Sequence, residues 1–203
     1  MSLVNYSTRE ITCKLVYYGP GRSGKTTNLQ ALHARLPEER RGRMVSLATE
    51  MDRTLFFDFL PLDLGTVSGF QVRFQLYTVP GQVYYNATRK LVLQGADGVV
   101  FVADSQPARE SENLESFRNL QDNLLEQGVD PRTLPICLQL NKRDLPEALP
   151  RERLERALNY RGLPCFEASA AAGTGVFETL RGLSEQVLSQ LAARFPRPER
   201  VVG

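Results

Sequence analysis

The stretch Gly19-Pro20-Gly21-Arg22-Ser23-Gly24-Lys25-Thr26 fits the pattern GxxxxGK[ST]. It lies between an apolar run of strand length, Ile11 to Tyr18, and a segment that places Leu29, Leu32 and Leu36 on one side of a helix. A glycine-rich turn between a strand and a helix can wrap its backbone N–H groups around a phosphate. Gly19, Gly21 and Gly24 allow the tight turn, and Ser23 completes the loop. Lys25 is expected to supply a cation between the β- and γ-phosphates, and Thr26 a hydroxyl for Mg²⁺. Thr27 follows beside them on the nucleotide.

Outward from this loop, apolar segments of strand length alternate with segments of helical period, which predicts a three-layer α/β fold of the P-loop NTPase type. Six strands are expected in a mostly parallel central sheet: Ile11 to Tyr18, Thr54 to Leu60, Phe70 to Val79, Gly98 to Ala103, Leu134 to Leu140 and Leu163 to Ala168. The second and third bracket a predicted turn, LPLDLG. Phe70, Val72, Phe74 and Leu76 alternate with polar neighbours, which reads as a strand with one wetter face. Helical stripes run through Leu114, Phe117, Leu120 and Leu124, and through Val176, Leu180, Leu183, Val187 and Leu191. One domain over residues 1–203 is expected, with a core of about 11–192 and a loose tail at 196–203. No repeat or linker breaks it.

Composition narrows the function classes. The chain has 203 residues, 42% hydrophobic and 24% charged, enough for one well-buried core. A net charge of +2, with its densest basic run (Glu38 to Arg43) already carrying two acids, argues against nucleic acid as a partner. No export signal, membrane span or direct membrane anchor is visible, so a cytoplasmic protein is expected. Cys13, Cys137 and Cys165 are far apart in apolar segments and read as buried thiols. His33 is the single histidine, which disfavours imidazole chemistry and histidine-based metal sites.

A phosphate loop does not choose between adenine and guanine; Asn141-Lys142-Arg143-Asp144 does. Placed directly after a predicted strand, it matches the NKxD element, in which the Asp144 carboxylate accepts two hydrogen bonds from guanine N1–H and its 2-amino group. Adenine lacks that donor pair. Ligands of open α/β sheets bind beyond the carboxyl ends of the strands, where both elements are expected.

The phosphate loop, a switch segment, the glycine–glutamine turn Gly81-Gln82, NKRD and EASAAAGTGV follow one another as in Ras-like GTPases, over residues 11 to about 192. Within that superfamily, VSLATEMDRTLFFDFLPLDLG, LYTVPGQVYYNATRKLVLQGADGVVFVADS and LNKRDLP resemble the bacterial MglA family. The resemblance implies a switch that binds GTP or GDP with Mg²⁺ and hydrolyses GTP with stimulation by a partner. It also implies a Roadblock-domain partner of the MglB type at the switch region, effectors in cell polarity or gliding motility, and possible recruitment to cell poles by partners.

Position by position, the resemblance makes Thr54 the switch threonine that adds a second hydroxyl to Mg²⁺, and Gly81 an N–H donor to the γ-phosphate. Gln82 orients the attacking water and Arg53 is an arginine finger carried in the same chain. Ala170 presents an N–H to guanine O6, with Ser169 bracing its loop. Asn141 and Lys142 complete the base site. Three departures stand out. The DxxG turn reads Thr78-Val79-Pro80-Gly81, so the acid that usually holds a Mg²⁺-bound water is a threonine, and weak intrinsic metal affinity and hydrolysis are expected; Ala171 replaces a common lysine; and Arg22 fills a free loop position, where it is expected to face water. Two other classes stay open, a P-loop phosphotransferase and a non-hydrolysing scaffold; NKRD disfavours the first, Gln82 and Arg53 the second.

Overall fold

Runs of alternating and continuous apolar residues set the sheet. The computed structural model describes residues 3–47, 57–67 and 69–194. In chain order the elements are β1 (Leu3–Asn5), β2 (Glu10–Tyr18), α1 (Lys25–Arg35), β3 (Val45–Leu47), β4 (Phe57–Val67), β5 (Phe70–Thr78) and α2 (Asn86–Leu93). They continue with β6 (Gly98–Asp104), α3 (Glu110–Glu126), β7 (Ile136–Asn141), α4 (Arg151–Leu158), β8 (Cys165–Glu167) and α5 (Val176–Arg194).

One sheet has the order β3-β4-β5-β2-β6-β7-β8, with β1 folded back on the start of β2. Strands β5, β2, β6, β7 and β8 are mutually parallel, while β4 runs antiparallel to both of its neighbours, β5 and β3. Every residue of β6 and β7 is buried, as strands covered on both faces require. Leu15, Phe74, Val100 and Val102 face α1 and α5, which bring Leu29, Leu32, Leu183 and Val187. Val16, Phe101 and Leu138 face the opposite layer, with Val92, Leu120 and Leu154 from α2, α3 and α4. Parallel register aligns Asp104 with Asn141 and Leu140 with Glu167, so the carboxyl ends of the strands form one platform.

Two expectations are corrected. LPLDLG is strand rather than turn: Asp58, Leu60 and Leu62 are all buried, a period of two that carries β4 through to Val67. Gly65, at φ +85, sits where the β4–β5 register slips between Asp63 and Thr66, and its N–H donates to Asp63 Oδ1 at 2.9 Å; the glycine serves a bulge. The hairpin instead reverses near Gly69, at φ +83. The sheet also has eight strands among the described residues, not six, because the three-residue β1 and β3 pair along its margins. Part of the second expected strand, 54–56, and the 196–203 tail lie outside the described residues.

The cysteines form no disulfide; Cys13 and Cys137 are buried and Cys165 is half-buried. Burial pushes the Cys137 thiol up to about 12. Burial, with Glu155 beside it, does the same for Cys165. Thiolate is the reactive form, so at pH 8 its fraction at these two sites is on the order of 10⁻⁴. Native protein mixed with a thiol-reactive disulfide dye at pH 8 should label slowly, and denatured protein should release all three thiols at once. Native labelling of any cysteine at the rate of free cysteine would contradict this burial.

Candidate nucleotide-binding site

The turn from β2 into α1 coils by visiting left-handed backbone three times, at Gly19 (φ 143), Arg22 (φ 61) and Gly24 (φ 99), which turns successive N–H groups inward. A side chain at Gly24 would sit 2.2 Å from Asn141 Nδ2, so only glycine fits where the loop meets the base-side strand. Lys25 is buried and donates to the carbonyls of Gly19 (3.0 Å) and Pro20 (2.6 Å). Burial first, then the charge of Arg89, push its ammonium down to about 7, and Asp58 opposes them. Ser23 is fully buried, its hydroxyl without a partner among the described residues; Arg22 is exposed, as expected.

The acid missing from position 78 stands on the neighbouring strand. Phe59 pairs with Tyr77, which sets Asp58 across from Thr78. Thr78 Oγ1 accepts from the Asp58 N–H at 2.8 Å and donates to Asp58 Oδ2 at 2.9 Å. Thr26 Oγ1 donates to the same carboxylate oxygen at 2.5 Å, and Ser46 Oγ donates to the other. One carboxylate ringed by hydroxyls beside a phosphate loop is a hard-oxygen donor set that fits Mg²⁺, which takes one or two carboxylates and leaves its remaining positions to phosphate and water. No cluster of three metal-ligating residues occurs among the described residues. Asp58 was not picked out by the sequence reading, although an acid among core-facing Leu60 and Leu62 is a signal in itself.

The second half of the site is at the ends of β7 and β8. Asn141 is buried; its Nδ2 donates to Ser23 O (2.7 Å) and its Oδ1 accepts from Ala170 N–H (2.9 Å), so one side chain ties the phosphate loop to the loop after β8. Lys142, at φ 66, donates to Asp104 Oδ2 and to Gln106 Oε1 at 3.1 Å. Asp144 is exposed, and the Ser169 hydroxyl beside it holds its carboxyl below the usual aspartate range. A cleft of about 190 Å³ brings together Gly24, Thr27, Asn141, Lys142, Asp144 and Ala170. Ala170 also has a structural part here. Its N–H is engaged by Asn141, so in this arrangement it braces the loop, and contact with guanine O6 requires that donor to be shared or released.

Gly81 lies against the phosphate loop: a Cβ on it would be 2.3 Å from Gly21 N. Gln82 is exposed, and its carbonyl accepts from Arg89 Nη1 at 2.8 Å. Arg89 is buried in α2 and also reaches Asn86 Oδ1, which accepts from Asn119 (3.1 Å) and Asn123 (2.9 Å) of α3. Tyr18 OH donates to Asn119 Oδ1 and accepts from Asn123. The glycine–glutamine turn is thus held to α3 and to the end of β2 beside a cavity of about 770 Å³, which Gly21, Gly81, Gln82 and Arg89 help to line. Arg53 and Thr54 lie outside the described residues.

Comparison with known proteins agrees with this geometry. Residues 2–187 match the model of the ADP-ribosylation factor family. The mutual gliding-motility protein MglA of Myxococcus xanthus is 57% identical over 94% of this chain and 98% of its own length. The Ras-related protein Rab-5B of Plasmodium falciparum is 25% identical over 93% of the chain and 82% of its own. ADP-ribosylation factor-like protein 6 of Caenorhabditis elegans is 25% identical over 89% of each. With a phosphate loop and an NKRD loop bound together by Asn141, the chain belongs to the Arf and Ras-like small GTPases, as a GTP hydrolase of the MglA type.

Proposed function

We propose that this protein is a Mg²⁺-dependent GTP/GDP switch, built as a single G domain, that acts in cell polarity and gliding motility together with a Roadblock-domain activator. The observation that supports the nucleotide half is the pair of hydrogen bonds by which Asn141 joins Ser23 in the phosphate loop to Ala170 in the loop after β8. The motility half rests on the relative's name and on the extent of the likeness. The described residues contain no helix long and apolar enough to cross a membrane, which suits a cytoplasmic protein brought to the poles by its partners.

In this reading the phosphate loop and Lys25 hold the β- and γ-phosphates, and Gly81 offers its N–H to the γ-phosphate. Gln82 orients water, and Asp144 reads guanine while Asn141, Lys142, Ser169 and Ala170 shape its loop. Thr26, Thr54 and Asp58 would hold Mg²⁺ directly or through water, and the ion would neutralise charge on the β- and γ-phosphates. Loss of the γ-phosphate releases the segments that carry Thr54 and Gly81. Fluorescent GTP should bind with Mg²⁺ dependence, be displaced by GDP and not by ATP, and be hydrolysed. Equal displacement by ATP, or phosphate transfer to a small acceptor in place of hydrolysis, would support the phosphotransferase instead.

Asp58 gives the sharpest test of the metal site. Asp58→Asn keeps the shape and the hydrogen bond to Thr78 but removes the charge. Altering a group that supports a metal site commonly costs ~10–100-fold in metal affinity or activity. The Mg²⁺ concentration needed for half-maximal GTP binding should rise by about that factor, with folding kept. An unchanged Mg²⁺ requirement would place the cation's carboxylate elsewhere.

A further inference from the structure

Beneath the site, on the face of β7 turned toward α1 and α5, three polar side chains are fully buried: Asn28, Gln139 and Thr179. Gln139 lies two residues before Asn141 and on the same face, where Cys137 belongs to the apolar core. An aliphatic residue at position 139 would complete that face. The amide instead forms a closed set of bonds. Asn28 Nδ2 donates to Gly24 O and to Gln139 Oε1, both at 2.9 Å. Gln139 Nε2 donates to Asn28 Oδ1 at 3.0 Å and to Thr179 Oγ1 at 2.9 Å. Thr179 Oγ1 donates to Gly175 O at 2.7 Å.

Every donor hydrogen of the three groups is used, and the two ends of the chain of bonds are telling. Gly24 caps α1 at the phosphate loop, and Gly175 precedes α5 at the end of the loop that carries Ser169 and Ala170. Asn141 makes the same connection one tier above, from Ser23 to Ala170. On the far side of α1, Arg35 donates to the carbonyls of Gly173 (2.7 Å) and Ala172 (2.8 Å). Helix α1 is therefore fastened to the base-side loop at both of its ends.

We propose that Gln139, with Asn28, Thr179 and Arg35, is a positioning device that locks the phosphate loop and the guanine-reading loop into one rigid receptor, so that the nucleotide is gripped at both ends at once. Apolar packing at this place would hold the layers together but would not fix the relative height and rotation of the two loops. Satisfied buried hydrogen bonds are directional and specify one arrangement. The proposal rests on the nucleotide reading above and adds to it the residues that couple the two subsites. It also accounts for the loop's tolerance of Ala171 where a lysine is common, because Arg35 grips the carbonyls just beyond.

The test uses the full chain and measures dissociation of fluorescent GDP, the affinity ratio of GDP to IDP (hypoxanthine lacks the 2-amino group) and the ratio of GDP to GMP. Gln139→Leu should release GDP about tenfold faster, the cost expected for buried hydrogen bonds lost from a receptor, and both ratios should shrink toward one. Thr179→Val should share this behaviour and Thr179→Ser should restore wild-type values. If Gln139→Leu fails to fold, the double variant Asn28→Leu with Gln139→Leu replaces the amide pair by apolar contacts and carries the same expectation. A folded variant with wild-type dissociation and wild-type ratios would overturn the proposal and leave Gln139 a core residue. Wild-type protein that fails to prefer GDP over IDP would overturn the nucleotide reading itself, and the coupling with it.

Discussion

Asp144→Asn is expected to convert a guanine-selective protein into a xanthine-selective one. The Ser169 hydroxyl holds the Asp144 carboxyl below the usual aspartate range, so it is ionised at neutral pH and presents two acceptor oxygens at the mouth of the base cleft. Guanine would meet it with two donors. Asparagine keeps one acceptor and turns a donor amide toward a donor of the base, which loses charge-assisted bonds and leaves a mismatch worth roughly 3–4 kcal/mol, or ~10²–10³ in affinity. Xanthine carries a carbonyl where guanine has its amino group and accepts from that amide. The sign of the pH dependence follows from the depressed carboxyl. Guanine affinity should hold as pH falls to the ordinary aspartate value of ~3.9, and weaken only when Asp144 takes up its proton below it. Competition of GDP and XDP against a fluorescent nucleotide, in wild type and variant, measures both effects. Wild-type guanine preference in Asp144→Asn would remove Asp144 from the base site.

The parts of the molecule readable from residues alone are those in which one residue type has one physical use. Glycines at 19, 21 and 24 with Lys25 are such a case, and so are the continuous apolar runs of β6 and β7, which the structure buries completely. LPLDLG misleads because Pro61 and Gly65 are common in turns, while the alternation of Asp58, Leu60 and Leu62 that makes it a strand is visible only once Asp58 is allowed to face inward. The same inward acid is the missing partner of Thr78. A missing DxxG acid therefore reads as a weakened metal site in sequence and as a displaced carboxylate in space, since strand pairing brings position 58 across from position 78. The short strands β1 and β3 carry too few residues for any periodicity to show. Likewise Gln139 is unremarkable as a residue in an apolar strand; its meaning lies in Asn28 and Thr179, which are 111 and 40 positions away.

Hydrolysis is where the largest effect is expected, with Arg53 and Gln82 proposed to carry it. Phosphoryl transfer requires an oriented water and stabilisation of charge on the γ-phosphate; an arginine finger typically contributes ~10³–10⁵ in rate, about 4–7 kcal/mol of barrier. Gln82 has its carbonyl fixed by Arg89 and its residue exposed, which anchors the backbone of the turn while leaving the side chain free to turn toward water. If Arg53 is the finger, an activating partner has no need to insert an arginine. Its work would be to favour the loop arrangement in which Arg53 and Gln82 reach the phosphate together, a population shift whose size would be set by its differential affinity for that arrangement. Intrinsic hydrolysis should then be slow, and partner-stimulated hydrolysis of Arg53→Ala should fall by ~10³ or more. Gln82→Leu should lose most of the stimulation as well, and both variants should still bind GTP and the partner. Single-turnover hydrolysis with saturating Roadblock-domain partner decides the matter. Full stimulation of Arg53→Ala would show that the charge on the γ-phosphate is stabilised from outside this chain or by no arginine at all, and an unstimulated wild type would remove the partner from the reaction.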